Sequence, residues 1–193
     1  QPVIVAIALL VCVLILLQVD YAAYFEGASI IHFLLGTATV ALALPLYENL
    51  GLIRKHARAF LITLLITGLL APGIAILLAA MLGGDRMLLL TLAPKSITTP
   101  FALSVAETIG GYPELAASFV VLTGILVAML ASPLFRMLHI HHPAAQGSVL
   151  GMIGHGVGTA RAFELDPRTG AFSALSMSLM GIYTAIGLGL LLG

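Results

Sequence analysis

"APKSITTPF", residues 93–101, interrupts a chain that is otherwise close to continuous hydrocarbon. It holds Lys95, one of two lysines in the chain, with three hydroxyl side chains and two prolines, Pro94 and Pro100. Each proline removes a backbone donor, and hydrocarbon offers no substitute partner for the groups that are freed. The stretch must therefore be buried in protein or line water, and its reading decides whether 88–109 crosses the membrane or enters and returns.

The membrane itself follows from composition. The chain has 193 residues, 61% of them hydrophobic and 8% charged, with a mean hydropathy of +1.16. That is too little polar surface to coat a soluble core. The formal net charge is zero and there is no basic run, which leaves no electrostatic footprint for nucleic acid. Cys12 is the single cysteine, so no intrachain disulfide forms. "HIHHP", 139–143, has imidazoles but no nearby thiol or carboxylate, and reads as a solvated loop rather than a metal centre. No cofactor motif is present.

Apolar runs long enough to span lie at 3–19, 30–46, 60–82, 115–134 and 171–192. Two further stretches, 88–109 and 147–163, are interrupted, the second by "GHGVGTARAF". The fold class expected is all-α, a polytopic membrane protein with about five full spans and two interrupted or re-entrant segments in one domain, 1–193. The chain starts inside an apolar run, and a further helix is expected upstream.

Arg54, Lys55 and Arg58 mark a cytoplasmic loop under the positive-inside rule. If 88–109 returned as a hairpin, Arg136 would fall on the same side, and so would Arg168 if 147–163 did likewise. Broken helices that cross are the alternative. Shifting the chain by 59 places Thr37 on Ser96, Thr39 on Thr98 and Glu48 on Glu107, and "TTPFA" also aligns with "GTARA". The units 29–83, 86–138 and 147–193 then read as repeats, the last two inverted, with helix 3–19 outside them. Inverted repeats of broken helices are how many secondary transporters build a site at the midplane; chance similarity between apolar segments is the alternative.

Pro94 and Pro100 bracket "KSITT", so Ser96, Thr98, Thr99 and freed backbone groups are candidates to bind a solute. Lys95 and the N-terminus of the following half-helix favour an anion. In "GHGVGTARA", Thr159 and Arg161 are candidates to add polar contacts, and His155 a proton. Arg161 paired with Glu164 or Asp166 is the plainer alternative. Glu107 is the other candidate proton carrier, while Glu48 is expected to pair with Arg54 or Lys55. Lys95 beside Ser96 does not make a nucleophilic pair, since adjacent side chains diverge, and no enzyme is expected. "AIGLGLLLG", 185–193, suits a tightly packed homodimer or packing within the monomer.

"FLLGTATVALALPLY", "LAPKSITTPFALSVAETIGG", "FVVLTGIL" and "GHGVGTARAFE" resemble the LrgB/CidB family of membrane proteins over nearly the whole chain. That family includes the C-terminal half of the plastid glycolate/glycerate translocator. It commonly has proline where this chain has Thr37, so the first repeat unit is expected to be less sharply broken. The resemblance implies a bacterial cytoplasmic membrane protein, with a small LrgA/CidA-type membrane partner in bacterial members. It also implies one of two functions. One is a secondary transporter of small monocarboxylates such as glycolate, glycerate or pyruvate, possible proton coupling included, working by alternating access; the residues favour this one. The other is an antiholin- or holin-like regulator of murein hydrolase activity and membrane permeability.

Overall fold

Proline, glycine and short polar caps punctuate the chain, and the helices of the computed structural model start and stop at them. The structure describes residues 2–30, 34, 43–48 and 50–192, and among these there is no strand. The helices are α1 (Pro2–Leu16), α2 (Tyr21–Gly27), α3 (Ala43–Glu48), α4 (Leu50–Met81), α5 (Arg86–Leu92), α6 (Thr99–Ile109), α7 (Pro113–Met137), α8 (Pro143–Leu165) and α9 (Pro167–Leu192). Asp85 caps α5 by accepting from the Leu88 N–H at 2.8 Å. Gly110, at φ 82°, closes α6 in the left-handed conformation that a residue with a Cβ adopts at a cost.

Three described helices, Ile53–Met81, Pro113–Met137 and Pro167–Leu192, are long and apolar enough to cross a membrane. Val5–Leu16 is a shorter apolar helix. It exposes its side chains all round, which suits lipid or another chain rather than water. The expected span 30–46, with Thr37 and Thr39, lies largely outside the described residues. One expectation is corrected: Arg54, Lys55 and Arg58 are not in a loop but on the exposed surface of the first turns of α4. No proline or glycine separates them from the apolar run, so the helix begins before the hydrocarbon does. Glu48 pairs with neither Arg54 nor Lys55: among the described residues the only salt bridge is Arg161 to Glu164.

Close contacts fix the directions of the helices. The incoming arm of α8 runs alongside α9 in the same sense, since Gly147 meets Thr169 and Phe172 while Gly151 meets Ser173 and Ser176. At both glycines a Cβ would strike the α9 backbone. α4 also runs parallel to α9, with Gly68 against the Tyr183 ring and the His56 ring 6.2 Å from that of Phe172 toward the opposite end. α7 runs the other way, passing Val127 against Gly154 and Ser132 against Arg161.

Between these helices lie two reversals. The chain enters through α5, breaks over 93–98 and comes back through α6, so that the Tyr112 N–H donates to Thr91 Oγ1 at 2.9 Å. The second reversal is sharper. α8 turns back on itself at His155 (φ 40°, ψ −127°), and Gly158 lands on the Leu150 carbonyl. One hairpin thus enters from the end of the bundle where α4 finishes, and the other from the opposite end. Arg54, Lys55, Arg58, Arg136 and Arg168 gather at that second end and Arg86 at the first, the asymmetry expected if the second end faces the cytoplasm. Ala93, Ile97, Val120, Met152, Phe172 and Met180 belong to one apolar cluster that joins both hairpins to α7 and α9.

Candidate functional site

Proline placement creates the first tip. Pro100 stands in the first turn of α6, where the N–H it lacks would have no helical partner, and Thr98 and Thr99 lead into it as the N-cap and the first helical residue. Thr98 is the N-cap (φ −67°, ψ 148°), yet its side chain makes no capping bond, so first-turn N–H groups of α6 keep their capacity to bind a ligand. Ser96 is buried, and its Oγ accepts from the Lys95 ammonium at 3.2 Å, so these adjacent side chains converge on the broken backbone instead of diverging as expected. Lys95, Thr98 and Thr99 are half-buried.

The second tip stands beside it. His155 is buried, and its Nε2 donates to the Val120 carbonyl at 2.9 Å. That bond puts the proton on Nε2 and leaves Nδ1 without a partner among the described residues. The ring is admitted by a gap: a Cβ on Gly124 would stand 2.6 Å from His155 Cε1. Ala93 and Ile97 of the first motif share one buried apolar cluster with Val120 and with Met152, three residues before His155, so both motifs abut the same core. Val120 and Gly124 are the eighth and twelfth residues of the 25-residue α7, which places the second tip within the first half of that helix, toward its middle.

The whole chain, residues 1–193, matches the family model described as LrgB-like. The chain belongs to the LrgB-like family. Uncharacterized protein YwbG of Bacillus subtilis (strain 168) is 36% identical over 95% of this chain and 82% of its own length. An uncharacterized protein of Haemophilus influenzae is 34% identical over 95% of this chain and 79% of its own. Holin-like protein CidB of Staphylococcus epidermidis is 30% identical over 96% of this chain and 81% of its own. No solved structure matches. The three spanning helices and the family together make this an integral membrane protein, of the kind found in the bacterial cytoplasmic membrane.

In this LrgB-like chain the remaining sequence candidates are dispersed. Thr159 is buried and shares a hydrogen bond of 2.9 Å with Ser173 of α9, with Met177 sulfur 3.8 Å away. Arg161 does not join Lys95. Its Nη1 donates to Glu164 at 2.7 Å and its Nη2 to Ser132 at 3.2 Å. Six residues separate it from His155, about 9 Å along the returning arm. Glu107 faces outward, exposed, near the end of α6.

Sequence reasoning gave no role to Val120, Gly124, Ser132 or Ser173, although "FVVLTGIL" includes the first two, and each matters because a distant segment packs on it. Gly124 had one available signal, as the single glycine inside the apolar run 115–134.

Proposed function

We propose that this LrgB-like protein is holin-like, controlling the permeability of the cytoplasmic membrane to small solutes. The CidB relatives that carry the word "holin-like" in their names support this ahead of the dedicated monocarboxylate carrier expected first from the residues. Control of murein hydrolase activity, and work with a small LrgA/CidA-type membrane partner, belong to the same proposal.

A second reading is retained for one observation. Lys95 sits at a broken tip near the middle of the bundle beside buried Ser96, and a mere hole gains nothing from a lysine held there. On this reading permeation is selective for small monocarboxylates of the glycolate, glycerate or pyruvate kind, by alternating access. Lys95, Ser96, Thr98 and Thr99 hold the carboxylate, and Thr159 and Arg161 act further along the route. His155 is the better proton carrier, because Glu107 faces away from the tips. The two inverted hairpin-and-helix units, 86–138 and 147–193, are the moving parts, and a homodimer is the proposed assembly.

Proteoliposomes holding only this protein separate the readings. The comparison is uptake of radiolabelled glycolate and pyruvate against release of a trapped neutral solute of similar size, beside Lys95→Gln. Indiscriminate leak that survives in the variant supports the holin-like activity and removes the selective route. Saturable carboxylate uptake, lost in the variant and without neutral leak, reverses that order.

A further inference from the structure

At the basic end of the bundle, α7 and the two arms of α8 enclose a cleft of ≈ 330 Å³, and Ser132, Arg136, His141, Gln146, Arg161 and Leu165 are among its lining residues. A space of that size holds a small metabolite. Its electrostatics are one-sided. The Arg136 side chain is exposed and, among the described residues, makes no hydrogen bond or ion pair, while the single carboxylate bonded to Arg161 is Glu164, through Nη1 alone.

Arg161 is also under-satisfied. A guanidinium carries five donors. Here Nη2 rests on a neutral hydroxyl at 3.2 Å, and Nε is buried with no acceptor at all, alone in this among the described residues. Buried donors without partners are uncommon in native proteins. The opposite wall is already built, because Gln146 Nε2 donates to the Ile140 carbonyl at 2.7 Å and holds the 138–142 loop over the cleft. Two guanidinium groups, an imidazole and a fixed wall suit a planar or tetrahedral oxyanion, which guanidinium forks bind through paired hydrogen bonds.

We propose that this cleft is a second anion site, distinct from the Lys95 tip, which takes a small carboxylate or phosphate oxyanion between Arg136 and Arg161. It concerns binding and stands whether or not the anion is carried across. The oxyanion arrives either as a free cytoplasmic solute or on the headgroup of an anionic lipid.

The test is titration calorimetry of inorganic phosphate and of glycolate into protein purified in uncharged, phosphate-free detergent, at constant ionic strength because exposed charges are screened by salt. Saturable binding is expected, weakened about tenfold or more in Arg136→Gln and kept in Arg86→Gln at the opposite end of the bundle, with Lys95→Gln reporting any heat that comes from the tip instead. Arg161→Gln should weaken it too, but that change strips Glu164 and Ser132 of a partner and can disturb folding. Arg136 has no bond to lose, so its variant keeps the test decisive.

Nanodiscs separate the sources. Weaker phosphate binding in phosphatidylglycerol than in phosphatidylcholine, with that difference gone in Arg136→Gln, supports the site with a lipid headgroup as occupant. Equal binding in both bilayers supports it with a free solute. No saturable binding, unchanged affinity in Arg136→Gln, or a loss confined to Lys95→Gln would overturn the proposal.

Discussion

His155 and Val120 are joined tip to scaffold: the imidazole Nε2 donates to the Val120 carbonyl at 2.9 Å, across 35 residues of chain. The backbone at His155 is in a region that glycine occupies freely and other residues enter at a cost of about 1–3 kcal/mol. Glycines flank it on both sides at 154 and 156, yet the turn falls on the histidine. The buried bond and the ring packed on Gly124 are what hold it there.

Replacing His155 therefore separates two effects. His155→Ala removes the ring and its bond but keeps the strained turn, and should destabilise the protein by about 2–4 kcal/mol. His155→Gly loses the same contacts while relieving the turn, and should recover about 1 kcal/mol of that loss. Denaturant unfolding in detergent measures both; equal stability of the two variants would show that the turn stores no strain.

The glycines of "GHGVG" should differ sharply from one another. A Cβ at Gly158 would collide with the Leu150 carbonyl, whereas at Gly156 it would meet nothing within 4 Å. Gly158→Ala should cost at least about 2 kcal/mol or prevent accumulation in the membrane, and Gly156→Ala should stay within about 0.5 kcal/mol. Expression level and thermal stability report the contrast.

Ser96→Ala removes the acceptor on which the Lys95 ammonium rests, without removing the charge. If carboxylate passes this tip, apparent affinity should fall about threefold to tenfold while the maximal rate is largely kept. Concentration-dependent uptake in proteoliposomes checks it. An unchanged affinity would detach Ser96 from the site.

Hairpin geometry fixes which side each loop faces. In a Cys12→Ser background, cysteines at Arg86 and Glu114 should react with an impermeant thiol reagent from one side. Those at His141 and Arg168 should react from the other. Labelling of 86 and 114 from opposite faces would mean that 88–109 crosses.

How much of this was legible beforehand depended on whether the information was local. Pro94, Pro100 and the glycines of 154–158 announce broken backbone wherever they occur, so both interruptions could be read from the sequence. The charge asymmetry of Arg54, Lys55, Arg58 and Arg136 pointed to returns rather than crossings, and the contacts of Thr91 with Tyr112 and of Leu150 with Gly158 are returns. The fate of Arg161 was open, because Glu164 three residues on and a carboxylate in the bundle are equally good partners on paper. Ser132, 29 residues away, helps hold it against α7. That His155 bonds a backbone carbonyl could not be foreseen, since every residue of α7 offers one.

The glycine contacts of α8 also determine where this molecule can flex. At Gly147 and Gly151 the backbones of α8 and α9 touch with no side chain between them, and at Gly158 the two arms of α8 are fused in the same way. Such seams leave nothing to slide, so the second hairpin and α9 travel as one rigid piece. Across from them, α7 meets that piece through side chains, chiefly His155 and Val127, which can change rotamer and slip. Any rocking that opens a path must use the face of α7 as its sliding plane, with the His155 bond as the catch that has to release first.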